Sequence, residues 1–401
     1  MSHRSGGAAL ALVAGAALLS ACGGPHPPAA DRPTVKVSIL DCGRGWSPTR
    51  TGTFHLRFAN VDNQTGEVRI IGAGGARTPR GAVFGAIDPL GIGSSADLDL
   101  ALGPGSYRVQ CLLESASAVN GPLLRLHGAA PAGAAPGVTA VTLDDLAGPI
   151  RSYQTWVSAQ LPSLRAQVTA LRAALAAGDR SAAQEAWRAG HAVYERLGAA
   201  YDAFGDLDAA INGLPSGLPR GVRDPGWTGF HAIEFGLWGS ARPQALVPLA
   251  DALGTDVGKL RALMALPPTI NPNDSEIKDA PGAIDALTFS IRAHEITENA
   301  LQFSLTGRDD FGAHSSLATV SANLDGTEHV LALVRPLLVG RLDTAPIDAG
   351  IANARAALAS ARTGDVAALP QATRERIDAA VSHLTELLAP VAVVLEPRRA
   401  S

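Results

Sequence analysis

Ala129-Ala130-Pro131-Ala132-Gly133-Ala134-Ala135-Pro136-Gly137 is a run of alanine, proline and glycine, a low-complexity composition that reads as a linker. Its position decides the fold, because the apolar pattern differs on its two sides. Upstream, apolar residues alternate with period two: Val35, Val37 and Ile39; Phe54, Leu56 and Phe58; Val68 and Ile70; Leu98, Leu100 and Leu102; Tyr107, Val109 and Cys111. Gly, Pro and Asn clusters punctuate these runs, as in a small β-sandwich. Beyond Leu146 the period becomes helical, with later stretches over 282–305, 315–340, 347–363 and 371–396. The expected fold class is multidomain, a small all-β sandwich over 34–128, a linker over 129–145 and an all-α helical bundle over 146–396. In the bundle, Ser181 and Gln184 read as a capping box. It opens a helix with the stripe Trp187, Gly190, Tyr194, Leu197, Tyr201, Phe204. His191, Glu195 and Asp202 fall on the adjacent stripe, at the edge of the core.

The N-terminus is a targeting segment. Arg4 precedes an apolar run from Ala8 to Leu19, followed by Leu19-Ser20-Ala21-Cys22. A positive start, a short apolar stretch and small residues make a secretory signal over 1–22, and the run is too short to span a bilayer permanently. Its ending resembles a bacterial lipobox, which makes Cys22 the lipid-modified first residue of an exported protein. Such a protein is anchored to the outer face of the bacterial cell membrane, in the periplasm or at the cell surface. The Pro/Gly-rich residues 23–33 are then a spacer. Two cysteines remain, Cys42 and Cys111, and in an oxidising compartment a disulfide is favoured over two free thiols.

Composition narrows the function. The chain of 401 residues is 46% hydrophobic and 17% charged with net charge −4, which argues against disorder and shows no basic excess for nucleic acid. Only Lys36, Lys259 and Lys278 are lysines; the arginine excess goes with the Ala/Gly-rich composition and carries no functional weight.

The segment Trp227-Thr228-Gly229-Phe230-His231-Ala232-Ile233-Glu234-Phe235-Gly236-Leu237-Trp238 carries the chemistry. His231 and Glu234 are three apart and share a helix face, and an imidazole beside a carboxylate suits a divalent or trivalent metal. The bare His-x-x-Glu spacing is a weak signal, since His383/Glu386 repeats it in a plain amphipathic helix. Its setting separates the first pair: the loop Arg223-Asp224-Pro225-Gly226 precedes it, and it is flanked by Trp227 and Trp238, side chains large enough to bury it. His294, Glu295 and Glu298 read chiefly as helix-surface pairs, and His314 as a capping or loop residue.

Several motifs occur in order: Tyr194-Glu195-Arg196, Phe204-Gly205-Asp206-Leu207-Asp208, Asp224-Pro225, the Trp227–Trp238 segment, Ala322-Asn323-Leu324-Asp325-Gly326 and Arg335-Pro336-Leu337-Leu338. Together they resemble the imelysin-type domain of the EfeO family of bacterial iron-uptake lipoproteins. The β-region is similar to the cupredoxin-like domain of that family. The resemblance implies an extracytoplasmic iron-binding protein that supplies a membrane iron permease and works beside a haem-dependent peroxidase. It places the metal on Glu195, His231 and Glu234, with Asp224 and the Glu295/Glu298 pair as additions. Hard carboxylate oxygens favour iron, as Fe²⁺ or Fe³⁺, and the imidazole adds selectivity over Ca²⁺ and Mg²⁺; zinc is the alternative metal. Where many relatives carry a second Glu and a Pro, this chain has Leu197 and Gly198; with one carboxylate missing, the site either binds more weakly or recruits His191, four residues before Glu195 on the same face. In the β-domain only Glu67 and Asp88 remain as scattered acidic candidates, and no metal is expected there. Copper is disfavoured, because the only methionines, Met1 and Met264, lie outside that domain and a type 1 site uses two His, a Cys and usually a Met. The same lack sets a ferroxidase aside. Imelysin-type domains are also classed as peptidases, so a metallopeptidase is the alternative function. His231 has no second His one turn away, so the zinc-peptidase ligand set is incomplete and a binding protein is preferred over an enzyme.

Overall fold

The computed structural model describes residues 32–114, 117–265 and 282–397. The signal segment, Cys22 and all but the end of the spacer lie outside the described residues. The chain divides into two compact units between Gly137 and Val138.

The first unit is built from strands. β1 (Thr34–Val37), β2 (Gly52–Asn60) and β5 (Ser95–Leu102) form one sheet in the order β1-β2-β5. β1 runs parallel to β2, with Val35 opposite Phe58, and β5 runs antiparallel to β2. β3 (Gly66–Gly72), β4 (Ala82–Leu90), β6 (Gly105–Leu113) and β7 (Val119–Asn120) form a second sheet in the order β7-β6-β3-β4, and β8 (Leu124–Leu126) also pairs with β6. Alternate residues of both sheets, among them Val35, Val37, Leu56, Phe58, Val68, Ile70, Val109 and Cys111, meet in one core. That is what period-two patterning demands of two facing sheets. Ile39 departs from the expected run: β1 ends at Val37 and Ile39 is exposed in the following turn. β4 is not legible in the sequence, because Gly85 and Pro89 interrupt the alternation of Ala-Val-Phe-Gly-Ala-Ile-Asp-Pro-Leu.

Cys42 and Cys111 are joined as a disulfide, 69 residues apart in sequence. It ties the segment after β1 to β6 of the other sheet. In the chain-entropy account, closing a loop of that length contributes about 4 kcal/mol. Reduction, or the double change Cys42→Ser and Cys111→Ser, is therefore expected to lower the melting temperature of this unit. Calorimetry with and without reductant checks it, and identical thermograms would contradict it.

The second unit is helical: α1 (Leu143–Ala177), α2 (Arg180–Glu195), α3 (Tyr201–Phe204), α4 (Asp206–Asn212), α5 (Gly229–Trp238), α6 (Val247–Met264), α7 (Ala286–Asn299), α8 (Ser316–Leu338), α9 (Ala345–Ala359) and α10 (Gln371–Leu395). α1 begins before the expected 146 because Thr142 and Asp145 form a capping box. α2 is capped by Asp179, which accepts from the Ala182 N–H, so Ser181 and Gln184 already lie inside the helix. α2 also stops at Glu195 although the apolar stripe continues. The chain turns through a short 3₁₀ segment at Gly198–Ala200, and Tyr201 folds back to stack on Tyr194 with ring centres 5.2 Å apart. Trp187, Phe204, Phe230, Phe289, Val334 and Leu384 are part of one contiguous core. α10 is apolar enough to pass for a membrane span, yet Ile377, Val381, Leu384, Leu388 and Val391 bury one stripe of it in that core, as a core helix does.

Candidate metal centre

The start of α5 is fixed by its approach to α4. Trp227 donates from Nε1 to the Gly213 carbonyl (2.9 Å), and Thr228 donates from Oγ1 to the Ala210 carbonyl (3.0 Å). Gly229 has φ +81°, and a Cβ there would lie 2.2 Å from the Ile211 carbonyl oxygen, so only glycine fits. Trp187 of α2 donates to the Phe230 carbonyl (2.8 Å). Held from two sides, α5 turns His231 and Glu234 inward, where they are 2% and 1% exposed. The other His-x-x-Glu pair, His383 and Glu386, is exposed. Burial is what separates the two motifs.

Glu234 is fully engaged. Its Oε1 accepts from the Phe311 and Ala313 N–H groups (2.8 and 3.0 Å), and its Oε2 lies 3.1 Å from His231 Nδ1. A carboxylate only accepts, so Nδ1 carries a proton, and in the neutral ring the lone pair is then on Nε2. His231 lines a cavity of about 230 Å³, together with Glu195, Tyr201, Asp208, Asn212, Asp309 and Asn323. Glu195, at the last turn of α2, accepts from Asn212 Nδ2 at Oε1 (2.8 Å) and from Asn323 Nδ2 at Oε2 (3.0 Å). Asn323 also donates to the Glu195 carbonyl, pinning α8 to the end of α2.

His191 lies one turn before Glu195. Its Nε2 is 3.1 Å from Glu195 Oε1 but out of line for a hydrogen bond, leaving that buried nitrogen without one among the described residues. Trp187 stacks on one face of the ring at 4.7 Å, and the His231 ring centre is 5.2 Å away. Burial pulls the His191 imidazole down, yet the negative charge of Glu195, with Glu234 and Asp309, holds it above its ordinary value. Burial likewise pushes the Glu195 carboxyl up; His191, Asn323 and His231 outweigh it and bring it down to about 2. Glu195 is thus ionised at any physiological pH, with a cationic imidazole favoured beside it.

Asp208 behaves oppositely. Burial is the largest cause, and with the charge of Glu195 it raises the Asp208 carboxyl to about 6 despite the hydrogen bond from Tyr194. The folded state therefore binds this proton more tightly than the unfolded chain. The associated stability is full below the ordinary carboxyl value and is lost as pH rises through about 6. Asp208→Asn keeps an oxygen for Tyr194 and removes the titration. We expect the variant to gain on the wild type between pH 4 and 6, by about 2 kcal/mol, in urea melts across that range. A constant stability difference with pH would contradict this.

The cavity brings together only part of the expected set. Glu195 and His231 line it, and Glu234 stands behind His231. Asp224 does not reach it: its oxygens accept from the Arg220 and Gly226 N–H groups, closing the turn that leads to α5. Glu298 is on the exposed side of α7, 3.8 Å from His294, and Glu295 pairs with Arg292 at 3.3 Å. Neither joins the cavity. His314 pairs with Asp365 at 3.3 Å. In the first unit, Arg69 occupies both oxygens of Glu67 (2.5 and 2.7 Å). Sequence reasoning misses Tyr201, Asp208, Asn212, Asp309 and Asn323 as site residues; for Asp208 and Asn323 the available signal is their place in the ordered motifs. Among the described residues no three His, Cys, Asp or Glu side chains stand close enough to ligate one ion as they are.

A family model described as imelysin matches residues 149–391. The chain is 27% identical over 379 residues to the iron uptake system component EfeO of Escherichia coli strain K12 and to that of Shigella flexneri, covering 92% of each chain. The same identity and coverage hold for the iron uptake system component EfeO of Escherichia coli O157:H7.

Proposed function

The chain belongs to the imelysin family, and on that premise we propose that it is an extracytoplasmic iron-binding component of an uptake system. It is anchored through Cys22 and delivers its cargo to a membrane permease. The observation that carries this reading is the locked His231. Glu234 fixes the tautomer of the neutral ring, with the lone pair on Nε2, and His231 lines a cavity shared with the ionised Glu195. A carboxylate behind a histidine is the usual way a protein orients an imidazole for a metal. Glu195 adds a hard oxygen donor suited to iron, and Asn212 and Asn323 hold it in place. The ion is cargo and must leave again. A shell of few protein donors, completed by water, suits loading and release better than a closed cage. Metal binding is expected to weaken as pH falls, because a cation entering beside Glu195 competes with the proton on His191.

The test is calorimetric titration of the soluble chain beginning after Cys22 with Fe³⁺, Fe²⁺, Zn²⁺ and Cu²⁺. Tight iron binding with one site is the expected result. Preference for zinc, followed by digestion of casein, would replace this reading with the metallopeptidase. Absence of binding to any of the four would end it.

A further inference from the structure

We propose that Asp309 is a further protein donor to the cargo ion and sets the cavity's preference for a trivalent over a divalent cation; this rests on the iron-binding reading above. Asp309 lies in the segment between the π-helical turn Ala300–Ser304 and α8, and it lines the same cavity as His231 and Glu195. Its two oxygens are treated differently. Oδ2 accepts from Ser304 Oγ at 2.6 Å, whereas Oδ1 is buried and has no hydrogen-bond partner among the described residues.

The next residue shows what a structural aspartate looks like here. Asp310 accepts from the Gly312, His314 and Ser315 N–H groups and lies 3.3 Å from Ser316 Oγ, so it is spent on shaping the loop. Asp309 has no such task. A buried carboxylate oxygen without a donor is costly, and the cost is relieved by a cation. Asn212 Oδ1, on the wall of the same cavity, is likewise buried without a partner, while its amide nitrogen holds Glu195. Both unpaired oxygens are hard donors on residues that line the cavity of His231 and Glu195, and the side chains have to draw closer round an ion than they stand without one. The attraction of a carboxylate scales with the charge of the ion, so removing the Asp309 charge must penalise a trivalent ion more than a divalent one.

The full chain and its Asp309→Asn and Asp309→Glu variants would be titrated with ferric nitrilotriacetate and with Mn²⁺, and melted without metal. In Asp309→Asn ferric affinity is expected to fall at least about tenfold and Mn²⁺ affinity by a smaller factor. The metal-free melting transition of the helical unit should stay in place or rise, and Asp309→Glu should recover part of the ferric affinity. Wild-type affinity for both ions in Asp309→Asn would overturn the proposal. So would an equal loss for both ions together with a lower metal-free melting temperature, which is the pattern of a purely structural residue. Failure of the iron-binding reading itself appears separately, as a wild-type chain that takes up neither ion.

Discussion

Iron affinity is expected to fall by at least about a hundredfold in His231→Ala and by about ten- to a hundredfold in Glu234→Gln, with the helical content of both variants preserved. The first change deletes a donor. The second keeps the volume and all but one atom, and its effect follows from which oxygen does what. Oε1 of Glu234 accepts two backbone N–H groups, from Phe311 and Ala313, so a glutamine must keep its oxygen there. Its NH₂ then replaces Oε2 beside His231 Nδ1. Two donors cannot face each other, so the imidazole shifts its proton to Nε2 and presents an N–H, instead of a lone pair, to the cation. Calorimetry of the two variants beside the wild type, with circular dichroism as the control for folding, checks both numbers. Unaltered iron affinity in Glu234→Gln would show that the tautomer of His231 is irrelevant to binding.

The second large effect is on stability. Gly326 of α8 lies against the end of α2, where a Cβ would meet the Arg196 carbonyl oxygen at 2.4 Å. That neighbour is backbone and cannot swing away, so Gly326→Ala has to part α8 from the end of α2 by roughly 1 Å, at about 1–3 kcal/mol. The same displacement reaches the cavity, because Asn323, one turn earlier, carries two hydrogen bonds to Glu195. Stability and iron affinity should therefore fall together. Gly258 is the control: it is exposed on α6, and a Cβ added there would meet nothing within 4 Å. Gly258→Ala should be neutral or gain up to about 1 kcal/mol from helix propensity. Urea melts of the two variants decide it. Equal behaviour would mean that the contact at Gly326 carries no strain.

Residues differ in how much of this arrangement they reveal in sequence. The sandwich is legible in Phe54, Leu56 and Phe58, or Tyr107, Val109 and Cys111, because facing sheets need every second side chain inside. The end of α2 is not, because a 3.6-residue stripe can run on through a tight turn; Leu197 and Phe204 are still buried although the helix has stopped at Glu195. His231 and Glu234 stand out as a local pair on one face. Their distinction from His383 and Glu386 is burial, which depends on Trp187, Trp227 and Gly229 and not on spacing. Asp309 lies far along the chain from His231, and no local pattern marks it; only the loop that donates Phe311 and Ala313 N–H to Glu234 brings it round. Asn212 is a neutral amide outside every motif, and Asn323 is one inside a motif that does not mark it as a site residue, yet both set the position of Glu195. Glu298 and Asp224 are the reverse case, with ligand chemistry in sequence but bonds that leave them on the surface or in a turn.

The division of the chain between Gly137 and Val138 also governs how such variants are to be compared. Each unit has its own core, so heat is expected to unfold the protein in more than one step, and a single midpoint is then not a defined quantity. Trp46 is the sole tryptophan before Gly137, whereas Trp156, Trp187, Trp227 and Trp238 all follow it. Indole emission is thus weighted toward the helices, while loss of the Cys42–Cys111 bridge acts on the strands. Calorimetry will register the unfolding of both units and fluorescence chiefly that of the helices, and a cargo ion should move only the transition of the unit that holds it.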